Sequence, residues 1–167
     1  MNEKTDTPEN TLTGLYNNCR SLILATTDAQ GAPLASPVPF VRNEEGDYFV
    51  FVSGLAAHTS HLASGRSASI LLVQDESMTT QIFARTRLTQ HCQIKEIDST
   101  MPVRETILTS FEQRFGQVIS LLRSLPDFRL FKLHPQDGGR FVTGFGQAYD
   151  LIKGELRPVM PPGQENQ

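Results

Sequence analysis

The chain has 167 residues, of which 38% are hydrophobic and 20% charged, with a formal net charge of -3. That length suits one domain with its own core and leaves no room for two substantial ones. The slightly acidic balance argues against non-specific nucleic-acid binding, and no apolar run approaches the roughly 20 residues of a membrane-spanning helix. Neither nucleic acid nor membrane is therefore expected as a partner, and a cytoplasmic location follows by default. Cys19 and Cys92 are far apart and form no CxxC pair, so buried, reduced thiols are expected, with no disulfide framework and no metal site.

Residues 1–10 read as a disordered N-terminus, 11–152 as the folded domain and 153–167 as a flexible, polar, proline-rich tail. From Thr11 to Arg20, Leu12, Leu15, Tyr16 and Cys19 share one helical face, with Thr11 as the cap. SLILATTD then predicts a strand, DAQGAP a turn, LASPVPFVR a second strand, NEEGD a turn and YFVFVS a third strand. Pro37 and Pro39 cannot donate ladder hydrogen bonds, so the second strand should lie at an edge or be bulged there. A short helix follows near His58, SASILLVQ reads as a strand covered on both sides, and QIFARTRLTQHCQIKEI reads as one long bent barrel strand.

Between Pro102 and Leu125 the spacing turns helical, with Ile107, Leu108, Phe111, Phe115, Val118, Ile119 and Leu122 on one face and a break at Gly116. DFRLFKLH and RFVTGFGQAYDL complete the fold as two strands joined by the turn PQDGG. Strands and tight turns with few crossover helices predict a mainly β, α+β architecture built on an antiparallel barrel, not a doubly wound sheet. The GFG at 144–146 is accordingly no dinucleotide fingerprint, since no helix follows it.

Chemistry concentrates in two places. Where FVFVSGLAAHTSHL passes from strand to helix, free N–H groups, the Ser53 and Thr59 hydroxyls and the His58 imidazole form a corner suited to an anion. Taken alone, the same residues serve as an ordinary helix cap. Along QIFARTRL, strand alternation puts Gln81, Phe83, Arg85 and Arg87 on one face, where two cations suit a phosphate or carboxylate, or else a solvated face pairs with the acidic DESM loop. In RFVTGFGQAY, alternation leaves Val142, Gly144, Gly146 and Ala148 as a nearly bare face that a planar ligand, a partner subunit or a packed neighbour could approach.

The blocks SLILATTDAQGAPLASPVPFV, FVFVSGLAAHTSHL, QIFARTRL and DFRLFKLHP…GRFVTGFGQA resemble, in that order, the FMN-binding split-barrel proteins related to pyridoxamine 5'-phosphate oxidase, nearest to the HugZ/HutZ-type haem-utilisation branch. The resemblance implies an antiparallel split barrel with flanking helices, assembled as a homodimer with FMN at the subunit interface. It places the segment carrying Ser36, Val38 and Phe40 beside the flavin and Ser53, His58 and Thr59 on the ribityl phosphate. Gln81 then falls near the ring or its side chain, and Arg85 becomes a second phosphate contact.

Two departures shape the function it implies. The vitamin oxidases use a tryptophan, and this chain has none; the haem-degrading branch ligates iron through a C-terminal histidine, and no histidine follows His134. The leading expectation is an FMN-dependent oxidoreductase of unknown substrate with no assigned catalytic residue. The alternative is a haem-utilisation protein that binds or degrades haem in the dimer cleft, or a flavin or haem carrier without turnover.

Overall fold

The computed structural model describes residues 7–160. Helix α1 (Pro8–Asn18) starts ahead of the expected Thr11 because Thr7 caps it, the Thr7 hydroxyl accepting the Asn10 N–H at 3.2 Å, and Pro8 sits in the first turn where a missing N–H is harmless. Pro8, Glu9 and Asn10 are thus helical rather than disordered, while residues 1–6 lie outside the described residues.

Next come β1 (Ser21–Thr27), β2 (Pro33–Arg42), β3 (Tyr48–Ser53), α2 (Ala57–Ala63), β4 (Ala68–Val73) and β5 (Arg87–Ile97). They are followed by α3 (Val103–Phe115), α4 (Val118–Arg123), β6 (Phe128–Pro135), β7 (Gly139–Gly144), β8 (Gln147–Ile152) and β9 (Glu155–Pro158). The strands pair antiparallel in the order β4-β1-β2-β3-β6-β5, and β4 also pairs with β5, so these six close into a barrel, with β7, β8 and β9 extending from β5. The expected antiparallel barrel is therefore present. Among the described residues no helix is long and apolar enough to cross a membrane.

The barrel wall is split. β2 pairs with β1 from Pro33 to Pro39 but with β3 only over Phe40–Arg42, so beyond Phe40 opposite Val50 the two strands part. Alternate residues of a strand aim their N–H groups to the same side, and Pro33, Pro37 and Pro39 occupy alternate positions, which puts their missing donors on the parted side, where no ladder needs them.

Burial follows from this layering. Inside the barrel pack Leu22, Leu24, Phe40, Val50, Ile70, Leu72, Leu88, Phe131 and Phe141; outside it, Val41, Phe49, Phe51, Ile97 and Leu130 lie under Ile107, Leu108 and Phe111 of α3. That double cover is why YFVFV of β3 is buried throughout rather than alternating. Gly116 takes φ 82° and separates α3 from α4, as the periodicity predicts.

Three expected elements differ. QIFARTRL does not enter the long strand: Ile82–Ala84 form a 3-10 turn and β5 begins at Arg87. PQDGG is not a hairpin turn, because β6 and β7 follow each other along the same strand. Pro135 lies opposite Cys92 and Arg140 opposite Thr89, so five steps of one chain meet three of the other and two extra residues bulge out of the ladder. RFVTGFGQAYDL is two strands, turned at Phe145-Gly146 with Gly146 at φ 68°, so the expected bare face from Val142 to Ala148 is folded across a hairpin. β9 pairs with β8, which makes Glu155–Pro158 part of the sheet and not of a loose tail; the tail beyond Met160 lies outside the described residues.

Candidate functional site

At the end of β3 the chain turns into α2 through Gly54, Leu55 and Ala56. Every hydroxyl at this corner is engaged internally. Ser53 Oγ donates to Asp127 Oδ2 at 2.6 Å and accepts the Leu55 N–H at 3.1 Å, while Thr59, fully buried, donates its hydroxyl to the Ser53 carbonyl at 2.6 Å. The Thr59 N–H goes to the Ala56 carbonyl at 3.0 Å. His58 is half-buried, and burial, then the neighbouring His61, pushes its pKa down, away from the cationic form. The corner is therefore a clasp with a carboxylate at its centre. A phosphate placed there would meet negative charge and no free hydroxyl.

Of the β2 residues expected beside a ligand, Val38 and Phe40 point into the barrel at 2% and 0% exposure, so their side chains belong to the core and cannot touch a bound group. Ser36 is on the same inward face but half-buried, nearer the parted end; Ala35, Pro37 and Pro39 carry the exposed face.

Gln81, Arg85 and Arg87 do not form the expected alternating face, because the 3-10 turn intervenes. Gln81 is exposed before that turn. Arg85 donates Nε to the Gln74 carbonyl and Nη1 to Glu76 Oε1 at 3.0 Å, and Arg87 donates Nη1 to the Arg85 carbonyl at 2.9 Å. Arg85 lines a cavity of about 750 Å³ between α1 and the β4–β5 connection, together with Cys19, Arg20 and Thr86. Nearby, Phe83 and the hairpin-tip Phe145 stand in solvent, 81% and 67% exposed.

The two groups stand at opposite ends of the β1–β4 pair. His61 of α2 bonds Thr26 at the C-terminal end of β1, whereas Arg87 lies opposite Val73 at the far end of β4, where Cys19 donates to the Val73 carbonyl. The 750 Å³ cavity contains Arg85 but none of Ser53, His58 and Thr59. One copy of the chain does not bring them together.

A second constellation escaped the sequence reading. Asp47, 3% exposed at the start of β3, accepts from His134 Nδ1 at 2.6 Å and pairs with Lys132. Burial alone would raise its pKa, but the bonds from Lys132 and His134 outweigh that and hold the carboxyl below its usual range. The signal was available: Lys132 and His134 share one face of the FRLFKLHP strand, whose other residues apart from Arg129 are apolar, and polar residues at such positions need a partner. His134 lines a smaller cavity of about 280 Å³ with Tyr16, Arg42, Gln90 and Lys153.

Residues 9–140 match the family described as pyridoxamine 5'-phosphate oxidase. A Vibrio cholerae protein named heme oxygenase HutZ is 41% identical over 137 residues, which span 82% of this chain and 77% of that protein. The solved structure of Vibrio cholerae HutZ, described as a haem storage protein, superposes with a TM-score of 0.76 at 35% identity, covering 81% of this chain and 95% of its own. Campylobacter jejuni ChuZ superposes with a TM-score of 0.83 at 27% identity, covering 99% of this chain and 68% of its own. Barrel, split and sequence kinship agree, and the chain belongs to the pyridoxamine 5'-phosphate oxidase family, near its HutZ branch.

Proposed function

We propose that this chain is a haem-utilisation protein that binds haem and works as a homodimer. The observation that carries the proposal is the 41% identity to HutZ over 82% of the chain. The β3–α2 corner supports it from the other side. With Ser53 and Thr59 engaged and the Asp127 carboxylate between strand ends, the residues present do not fit the phosphate of FMN, so no step is derived through a flavin.

The chain's donors do suit haem. An imidazole could hold an iron, and Arg42 and Lys153, which line a cavity and have no ion-pair partner among the described residues, could meet propionates. When bound, haem would supply a redox-active iron. The protein would supply an imidazole nitrogen to hold the iron, cations to neutralise the propionates and shelter from water. A second copy covering Phe83 and Phe145 would remove two exposed aromatic rings from solvent, which supports the homodimer. An FMN-dependent oxidoreductase is the second reading, favoured by the family match over residues 9–140.

Titrating the purified full chain with haemin and with FMN separates the two. A saturable Soret band with haemin, and no quenching of FMN fluorescence, is the expected result. Saturable FMN binding without a haemin site would overturn it. Loss of the Soret band under a reductant and oxygen would mark turnover; persistence would mark storage or carriage.

A further inference from the structure

We infer that the cavity of about 750 Å³ between α1 and the β4–β5 connection is a binding site for an adenine ribonucleotide carrying one phosphate. Small-molecule sites commonly enclose about 300–1,000 Å³. No histidine lines this one, so the inference is independent of the haem reading. Asn10, Gly14 and Asn18 line the cavity from α1, and the helical rise from Asn10 to Asn18 is about 12 Å. A ring, a sugar and a phosphate fit in line along such a wall.

Three features point to an occupant. Thr86 lines the cavity and is 9% exposed; its carbonyl accepts the Gln74 N–H at 2.9 Å, while its hydroxyl has no hydrogen-bond partner among the described residues. A buried hydroxyl without a partner is costly unless the cavity supplies one. Gly14 lies inside α1, where glycine weakens a helix, yet a Cβ there would meet nothing within 4 Å. Packing does not require that glycine; it keeps the helix wall open beside the buried Leu15. Arg20, also on the lining, has no ion-pair partner among the described residues. It donates to the Arg114 carbonyl at 3.3 Å and lies over the Phe115 ring at 5.3 Å. Arg114 likewise has no carboxylate partner among them, its Nε is unpartnered, and burial, then Arg20, pushes its pKa down. An anionic group at Arg20 would supply the counter-charge that both guanidiniums lack.

The rest of the lining specifies what carries that anion. A phosphate matches the paired donors of a guanidinium. The side-chain amides of Asn10, Asn18 and Gln74 have no hydrogen-bond partner among the described residues, and a carboxamide pairs with the N6/N7 edge of adenine. Asp75 Oδ1 takes the Ser77 hydroxyl at 2.6 Å and the Ser77 N–H at 2.8 Å, which hold the carboxyl below its usual pKa range. Its Oδ2 is left to accept a ribose hydroxyl, as acidic residues do in other nucleotide sites. Arg85 is already committed to the Gln74 carbonyl and Glu76, so it shapes the wall and leaves the phosphate to Arg20.

The test is calorimetric titration of the full chain with adenosine 5'-monophosphate (AMP), 2'-deoxy-AMP, adenosine and guanosine 5'-monophosphate. AMP should bind saturably at one site per chain, at least about tenfold more tightly than the other three, and should shift the Gly14 and Thr86 amide signals in nitrogen-15 spectra. Gly14→Leu, which puts a side chain into the cavity, should weaken AMP binding about tenfold or more without lowering the melting temperature. Arg20→Gln should weaken AMP about tenfold and leave adenosine unchanged, and Thr86→Val should weaken both about fivefold. Asp75→Ala should lose the preference for AMP over its 2'-deoxy analogue.

No saturable AMP binding by the parent overturns the assignment, as does AMP affinity unchanged in both Arg20→Gln and Thr86→Val, which keep the inference testable if Gly14→Leu fails to fold. Equal affinity for the guanosine nucleotide, or displacement of AMP by FMN, also overturns it. Haemin titrates Gly14→Leu as it does the parent, so the nucleotide site and the haem reading stand or fall separately.

Discussion

The Ser53 hydroxyl donates to the Asp127 carboxylate at 2.6 Å, tying the end of β3 to the residue before β6, and Gly54 N–H reinforces the tie by donating to the Asp127 carbonyl at 2.8 Å. Replacing Asp127 by Asn keeps a hydrogen-bonding group and removes the charge. Affinity for FMN should then rise by about tenfold, the equivalent of about 1.4 kcal/mol, measured by quenching of flavin fluorescence. Unchanged affinity would show that something other than this carboxylate keeps the phosphate away.

Asp47 should matter for stability in acid. Its folded pKa is held below the unfolded value of about 3.9, so its contribution is present above that pH and is lost as pH falls through the folded value. Asp47→Ala should cost about 1.5–2 kcal/mol at pH 7, since it removes the charge-assisted hydrogen bonds from Lys132 and His134, both of which keep access to water. Urea unfolding of parent and variant across pH should show that gap narrowing below about pH 4.

Two glycines should respond in opposite directions. A Cβ on Gly139 would sit 2.8 Å from Gln90 Cγ and 3.3 Å from the Thr89 carbonyl, and Gln90 is buried and fixed by the Tyr48 hydroxyl at 2.8 Å. Gly139→Ala should therefore destabilise by roughly 1–3 kcal/mol. Gly14, inside α1 with nothing within 4 Å of a Cβ, should gain about 0.5–1 kcal/mol as Ala. Thermal melts of the two variants check both signs.

If a second copy covers the exposed rings, Phe83→Glu combined with Phe145→Glu should shift the particle in light scattering from dimer to monomer. Its circular dichroism should be unchanged, because both rings already stand in solvent. A dimer of undiminished stability would place the subunit contact elsewhere.

What the sequence discloses tracks how local the cause is. Strands β1 to β3 announce themselves by apolar runs between turn residues, and the α3–α4 break by a glycine that takes positive φ. QIFARTRL alternates as a strand would, yet Arg87 is already opposite both Val73 and Val142, and upstream of it the pairing with the β4 side continues only as the bond from the Gln74 N–H to the Thr86 carbonyl at 2.9 Å. Pattern alone could not reveal that the ladder runs out there. The Ser53 corner misled for the same reason. Its hydroxyls look free until Asp127, 74 positions away in sequence, is brought against them. His134 was visible as a polar residue in a mostly apolar strand, but its meaning depends on Asp47 arriving from another turn.

The alternating prolines of β2 carry a consequence for life at high concentration. A barrel that leaves part of its wall unzipped would ordinarily offer a template on which a stranger's backbone could extend the sheet. Here three of the amides such a newcomer would need, at Pro33, Pro37 and Pro39, do not exist. The gap can stay permanently open to small molecules without becoming a seed for fibrils.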